Sequence, residues 1–256
     1  MEFMKVVTFA NNKGGTGKST LSLTVAAELA KHGKTILIDA DPQANSGSAL
    51  INTADLEFQL ADVLNGKIEI EKAIKETKIE NLSVLTSIPT RQDLVDYINT
   101  NAPKEHLIFL DVREALENMG FDFIVFDTSP SFNIFEENIL EATDLIFPVL
   151  LADKFSFDGL NRYRENLKSF WKHRHKTTPV INDIILNQIN SQLVVTKAVI
   201  EAFNKNCPDY NYFYIPVDQT FKKCVPSFLT VQYYPLEVKA ETLKVIEAIT
   251  NKILEK

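Results

Sequence analysis

The chain has 256 residues, 45% hydrophobic and 24% charged, the composition of an ordinary globular protein and not of a disordered, collagen-like or fibrous chain. Its 34 acidic and 27 basic residues leave a formal net charge of -7, which excludes a protein that coats polyanions over its whole surface. Two cysteines, Cys207 and Cys224, stand in neither paired nor metal-like spacing, so no disulfide framework, zinc site or iron–sulfur site is expected and the compartment reads as reducing.

Along the chain, short apolar runs rich in β-branched and aromatic residues alternate with segments of helical spacing. Val6 to Ala10 reads as a first strand, Ser19 to His32 as a helix that Gly33 can end, and Thr35 to Ala40 as a second strand. A pair of helices covers Leu56 to Glu76, followed by a strand at Leu82 to Ser87 and helices at Arg91 to Asn99 and His106 to Met119. Phe121 to Asp127 and Leu145 to Leu151 are strands on either side of a helix at Phe135 to Ala142. Then come a helix (Phe157 to His173), a strand (Ile181 to Leu186), a helix (Gln192 to Asn206), a strand (Tyr212 to Val217) and a final helix (Leu236 to Leu254). Such alternation predicts an α/β fold, a doubly wound and mostly parallel sheet flanked by helices, with residues 1–256 forming a single domain. Ligands of such sheets bind beyond the carboxyl ends of the strands, just after Ala10, Ala40, Phe126 and Leu186. No apolar run reaches the roughly 20 residues that span a bilayer, and Met1 to Lys5 is too short for a signal sequence, so a cytoplasmic protein is expected.

Directly after the first strand stands Asn11-Asn12-Lys13-Gly14-Gly15-Thr16-Gly17-Lys18-Ser19-Thr20, and a helix follows at once. A strand, a Gly-rich turn and a helix N-terminus aim successive backbone N–H groups at an anion. Lys18 can reach β- and γ-phosphates, and the Ser19 hydroxyl can ligate Mg²⁺. The strict GxxxxGK[ST] pattern fails, because Asn12 occupies its first glycine position, so the loop is a deviant one with a second lysine at Lys13. Asp39 and Asp41 close the second strand on the same side of the extended chain, and Asp127 ends the run Phe123 to Asp127. Phosphoryl transfer needs a positioned water and charge neutralisation, which supply roles for such carboxylates around ATP and Mg²⁺.

The run from Lys13 to Thr20, Asp39-Ala40-Asp41-Pro42-Gln43, and Asp127-Thr128-Ser129-Pro130-Ser131 together resemble the deviant Walker A P-loop ATPases of the ParA/MinD family over nearly the whole chain, most nearly the ParA-type partitioning ATPases without an N-terminal DNA-binding domain. Looser matches are Phe157-Asp158-Gly159-Leu160, Leu186 to Ser191, and Ile215 to Asp218 with Pro226-Ser227. The resemblance implies a slow, partner-stimulated ATPase that forms an ATP-dependent sandwich homodimer, with Lys13 reaching the partner's nucleotide. It also implies Asp41 as the water-positioning residue, Asp39 and Asp127 with Ser19 around the metal, and Asn187, Pro216 and Asp218 around the adenine. The implied partners are a ParB-like or other cargo-adaptor protein and nonspecific DNA, in plasmid or chromosome segregation at the nucleoid.

A membrane-bound variant of that family would carry a cationic amphipathic tail, but Leu243, Ile246, Ile249 and Ile253 follow core-helix spacing and the last 15 residues are nearly neutral. Arg162 to Lys176 concentrates Arg162, Arg164, Lys168, Lys172, Arg174 and Lys176 against Glu165 alone, a local basic patch on an acidic protein. Arginines that the family often carries after its Ile-Pro pair and in its Asp-x-Arg segment appear here as Val217 and Gln192, with Lys222 and Lys223 nearby as substitutes. A second reading is therefore an ATP-switched positioning or scaffold protein for a protein cargo, without DNA binding. A metal-delivery ATPase lacks the cysteine pair it needs.

Overall fold

The computed structural model describes residues 4–104, 107–174 and 181–255, with the side chains of His173 and Arg174 also outside that description. Eight strands form one sheet in the order β3-β4-β2-β5-β1-β6-β7-β8. These are β1 (Lys5–Ala10), β2 (Thr35–Asp39), β3 (Lys75–Glu76), β4 (Leu82–Leu85), β5 (Phe123–Asp127), β6 (Leu145–Leu151), β7 (Asp183–Ile189) and β8 (Asn211–Pro216). Every pairing is parallel except β3 with β4. β1 lies at the centre between β5 and β6, the point where successive connections turn to opposite sides of the sheet and a crevice opens.

The even and odd residues of β1 separate the two faces. Val6, with Ile36, Ile38, Ile124 and Phe126, packs beneath α3 (Leu60–Leu64), α5 (Asp93–Thr100), α6 (Ile108–Asn118) and α7 (Ile134–Glu141). Val7 and Phe9, with Leu37 and Val125, face α1 (Lys18–Leu29) and α11 (Ala240–Leu254). A third cluster joins β6 and β7 to α8 (Ser156–Arg174) and α9 (Val194–Asn206) through Leu160, Tyr163, Leu167 and Phe203. Short helices at α2 (Asn45–Ser48), α4 (Ile70–Ala73) and α10 (Thr220–Cys224) complete the order.

Two segments differ from the sequence reading. The stretch Leu56 to Glu76 holds only the short helices α3 and α4, and its end is β3, because Asn65-Gly66 breaks the first and the chain then turns back along β4. α11 begins at Ala240 and not at Leu236, whose neighbour Pro235 and own full exposure leave it in a loop. α11 is a core helix, with Ile246, Ile249 and Ile253 fully buried, and the Lys5 ammonium donates to the carbonyls of Ile253 and Leu254 at 3.1 and 2.8 Å across its C-terminus. Among the described residues no helix is long and apolar enough to cross a membrane.

Candidate nucleotide site

The loop after β1 is held from beneath. Asn11 donates its side-chain N–H to the Val149 carbonyl at 2.7 Å and accepts from the Lys13 N–H, so the turn starts from a fixed point at the centre of the sheet. Gly15 (φ +74°) and Gly17 (φ +93°) take left-handed backbone that other residues reach at a cost of about 1–2 kcal/mol. A Cβ added at Gly14 or Gly15 would meet open space, whereas one at Gly17 would lie 2.2 Å from Asn187 Nδ2. The cradle is thus open where an anion enters and closed where it rests on β7.

Lys18 opens α1 and is itself buried. Burial pulls its pKa down, against the opposing pull of the negative charges of Asp127, Glu136 and Asp41. Asp39 ends β2 in register with Asp127 on β5. Both are fully buried, and burial pushes both carboxyls above the usual range. Asp39 is raised further by the charge of Asp127, while the Ser19 and Ser46 hydroxyls and Lys18 draw Asp127 back down. Asp39 is tied to protein: it accepts from Gly47 N–H at 2.7 Å and Asp41 N–H at 3.1 Å, and so fixes the turn that carries Asp41. Asp41 accepts from Gln43 N–H at 2.9 Å through one carboxyl oxygen.

The Ser19 and Ser46 hydroxyls stand close to Asp127 but make no well-aligned hydrogen bond to it, so neither Asp127 oxygen has a partner, and the buried Thr16 and Ser46 hydroxyls lack one as well. Buried polar atoms left unpaired are costly, and here they converge beside an open Gly-rich cradle, an arrangement that a hydrated divalent cation and phosphate oxygens would satisfy. Among the described residues no group of three or more His, Cys, Asp or Glu side chains could hold a metal ion. The chemistry of these residues fits Mg²⁺ and a nucleoside triphosphate: the Ser19 hydroxyl and the Asp127 carboxylate could hold a hydrated cation, while Asp39 is spent on the turn after β2.

Beside the loop a cleft of about 390 Å³ is lined by Gly17, Thr20, Leu21, Asn187, Pro216, Val217, Asp218, Phe221 and Lys222, among others. Asn187 is bound into the protein: it donates to the Thr16 carbonyl and accepts from Gln188 N–H, both at 2.8 Å. Gln188 carries a left-handed φ of +57° at an irregularity where β7 slips against β8. The Asp218 carboxylate accepts from Thr220 N–H, Lys239 N–H and Thr242 Oγ1. These bonds outweigh its burial and hold its pKa low.

Lys13 stands at the outer rim and donates to Asp153 Oδ2 at 2.6 Å, with its ammonium 5.9 Å from the centre of the exposed Phe155 ring. Asp153 also accepts from Phe155 N–H and Ser156 Oγ; these bonds and Lys13 outweigh its burial and keep its pKa low. On α8, Arg162, Glu165, Lys168 and Lys172 form one exposed stripe, with Lys168 paired to Glu165 at 2.8 Å. Arg164 turns away from that stripe and lies 5.4 Å over the Tyr210 ring. Lys223 pairs with Glu237, and the Arg174 side chain lies outside the described residues, as do His175 and Lys176.

Sequence alone does not single out Asp153, Ser46 or Glu136. Asp153 is 140 positions from Lys13 and carries no motif; Ser46 is an ordinary residue after Asp41-Pro42-Gln43; and Glu136, in the first turn of α7, has the look of a common helix-dipole partner.

A family model described as an AAA domain matches residues 4–201. The virulence plasmid ParA family protein pGP5-D of Chlamydia psittaci is 32% identical over 212 residues, covering 76% of this chain and 80% of that protein. The sporulation initiation inhibitor protein Soj of Bacillus subtilis is 30% identical over 213 residues, covering 81% and 82% respectively. An ATP complex of a McdA variant from Cyanothece superposes with a TM-score of 0.84 at 20% identity, covering 100% of this chain and 98% of that one, which establishes the shared fold. On the deviant phosphate loop, the paired strand-end aspartates and these likenesses, the chain belongs to the ParA/MinD family of P-loop ATPases.

Proposed function

We propose that residues 1–256 act as one ParA-type ATPase domain that takes ATP and Mg²⁺ and segregates a plasmid or chromosome as an ATP-dependent sandwich dimer. The observation that carries this reading is the deviant loop itself: Lys18 lies buried among carboxylates while Lys13 stands outside, on the rim, where a partner's nucleotide can meet it. Bound Mg-ATP supplies the scissile γ-phosphoryl group and the cation that neutralises it. Backbone N–H groups from Gly14 to Thr20 and the Lys18 ammonium bind the phosphates, Ser19 and Asp127 orient the hydrated cation, and Asp41 accepts a proton from the attacking water and aligns it. The Asn187 clamp and the backbone from Pro216 to Asp218 shape the base end. Lys13 leaves Asp153 to complete the partner's site, so hydrolysis is slow in the monomer and is stimulated by a ParB-like or other cargo-adaptor protein.

The exposed stripe of Arg162, Lys168 and Lys172 on α8, doubled in a dimer, supports nonspecific DNA binding at the nucleoid. A second reading, protein-cargo positioning without DNA, is supported by the exposed apolar run Leu193, Val194 and Val195, Val194 to 81%, and by the exposed Val217 at the cleft. The deciding experiment is DNA binding with ATP, with ADP and without nucleotide across a salt series. ATP-dependent binding that weakens steeply with salt is expected, and changing Arg162 and Lys172 to Glu should make the slope of log affinity against log salt shallower by about 0.9 for each phosphate no longer neutralised. Should ATP drive dimerisation with no DNA binding at low salt, the cargo reading replaces it.

A further inference from the structure

The cleft beside the phosphate loop is apolar along much of its wall, where Leu21, Pro216, Val217, Phe221 and Val225 suit the flat face of a purine. A purine also has a polar edge, and two of the side chains placed to meet it are engaged elsewhere. The Asn187 amide holds the Thr16 carbonyl and Gln188 N–H, and the Asp218 carboxylate holds Thr220, Lys239 and Thr242. Beyond Thr20 at the phosphate loop, three polar side chains of the cleft remain: Gln188, Gln219 and Lys222. Lys222 can only donate, and Gln219 precedes α10 where the cleft meets a second hollow of about 500 Å³. Gln188 is the one that the backbone is built to deliver. In the β7–β8 register Leu186 stands opposite Tyr214 and Ile189 opposite Pro216, so Asn187 and Gln188 together face the single residue Ile215. Successive side chains of a regular strand leave on opposite faces; this bulge, with Gln188 at φ +57°, breaks the alternation, and both residues line the same cleft.

Left-handed backbone is disfavoured for any residue with a side chain, and it persists where the surroundings fix it. Here they do: Gln188 N–H donates to Asn187 Oδ1 at 2.8 Å, and Val217 N–H donates to the Ile189 carbonyl at 3.0 Å just beyond the bulge. The Gln188 side chain itself is exposed, and its amide makes no hydrogen bond among the described residues. We infer that Gln188 reads the base: its Oε1 accepts from the 6-amino group of adenine while its Nε2 donates to an adjacent ring nitrogen, the pairing a primary amide makes with that edge. This rests on the reading of the loop as an Mg-ATP site and adds to it a residue that determines base specificity. Two neighbours in one bulge then divide the nucleotide between them, Asn187 holding the phosphate loop and Gln188 the base.

The test is calorimetric titration of the wild type, Gln188→Gly and Gln188→Met with three ligands: Mg-ATP, the magnesium complex of purine riboside triphosphate, which lacks the 6-amino group, and Mg-tripolyphosphate, which lacks the nucleoside. Glycine takes the left-handed backbone freely, and methionine keeps the length of glutamine without its amide, so an effect shared by both variants belongs to the amide and not to the bulge. One neutral hydrogen bond changes an association constant by about fivefold. The wild type should therefore hold Mg-ATP about fivefold more tightly than the analogue without the amino group, and both variants should lose that preference. Both should also bind Mg-ATP roughly 5–25-fold more weakly than the wild type, as one or two bonds are lost, while all three proteins bind Mg-tripolyphosphate alike. A wild type without the preference, or a folded variant that keeps it, overturns the inference. Equal losses for Mg-ATP and Mg-tripolyphosphate overturn it too, and make Gln188 a support of the loop. A wild type that binds neither Mg-ATP nor Mg-tripolyphosphate overturns the site assignment instead.

Discussion

Replacing Asn187 by alanine separates two roles for the side chain at the base end of the cleft. It removes two hydrogen bonds of 2.8 Å, a buried one to the Thr16 carbonyl and a partly buried one from Gln188 N–H, and each contributes about 1 kcal/mol. It also frees the space that now presses on Gly17, where an added Cβ would come within 2.2 Å, so the phosphate loop loses its rest against β7. A loss of about 2 kcal/mol is expected, which for a chain of this length lowers the melting temperature by roughly 4–8 °C. If Asn187 acts as a clamp on the loop, affinity for Mg-ATP and Mg-GTP should fall together, because what weakens is the hold on phosphates common to both. Calorimetric unfolding and parallel titrations with the two nucleotides measure this. Unchanged stability with a selective loss of ATP over GTP would refute the clamp and make Asn187 a reader of the adenine edge.

Three further expectations concern the same framework. Asp153→Ala releases Lys13 from a partly exposed ion pair worth about 0.2–1 kcal/mol, so the ATP-dependent dimer should assemble at protein concentrations up to about fivefold lower; an unmoved dimerisation midpoint in sedimentation would deny Asp153 a holding role. Asp41→Ala should still bind Mg-ATP and accumulate as a dimer while phosphate release slows by at least about tenfold, since Lys18, Ser19 and Asp127 remain; unchanged turnover per bound ATP would remove Asp41 from the chemistry. Lys5→Ala strips two hydrogen bonds from the carbonyls at the end of α11 and should lower stability by about 1 kcal/mol in denaturant titration without altering nucleotide affinity.

The parts of the site that can be read from sequence are those whose chemistry is local. Lys13 to Thr20 sits within one turn, and Asp39 and Asp127 each end an apolar run, so the strand period itself delivers them to one edge of the sheet, where they pair in register. What cannot be read depends on which surfaces meet. Arg164 and Lys223 look like members of a basic patch, yet one stacks on Tyr210 and the other pairs with Glu237, partners 46 and 14 positions away whose approach only the fold determines. Resemblance places Asn187 and Asp218 at the base, and their side chains prove to be spent largely on the loop and on α11. The segment from Leu56 to Glu76 has helical spacing, but the breaks at Asn65-Gly66 and the pull of β4 on Lys75 and Glu76 outweigh a local preference of tenths of a kcal/mol per residue.

The acid-rich floor beneath the loop also sets how stability changes with pH. In the unfolded chain the Glu136 carboxyl releases its proton near 4.5, whereas in the native protein burial keeps the proton on until about pH 8. Between those values the folded state binds one more proton than the unfolded state, so this residue's contribution to stability is fully present below about pH 4.5 and is lost as pH rises towards 8. Most carboxylates act in the opposite sense, among them Asp153 and Asp218, whose hydrogen bonds hold them low and whose stabilisation disappears only in acid. Because the two kinds overlap in the wild-type curve, the contribution of Glu136 is read from the difference between Glu136→Met and wild type, measured by denaturant unfolding without nucleotide at pH 5 and pH 8. That difference should move in favour of the variant by several kcal/mol across the interval, on the order of 1.4 kcal/mol per pH unit where the two states differ by a whole proton. A constant difference would mean that Glu136 is ionised in the native protein throughout, with Lys18 as a full partner, and the proton assigned to it at neutral pH would have to be withdrawn.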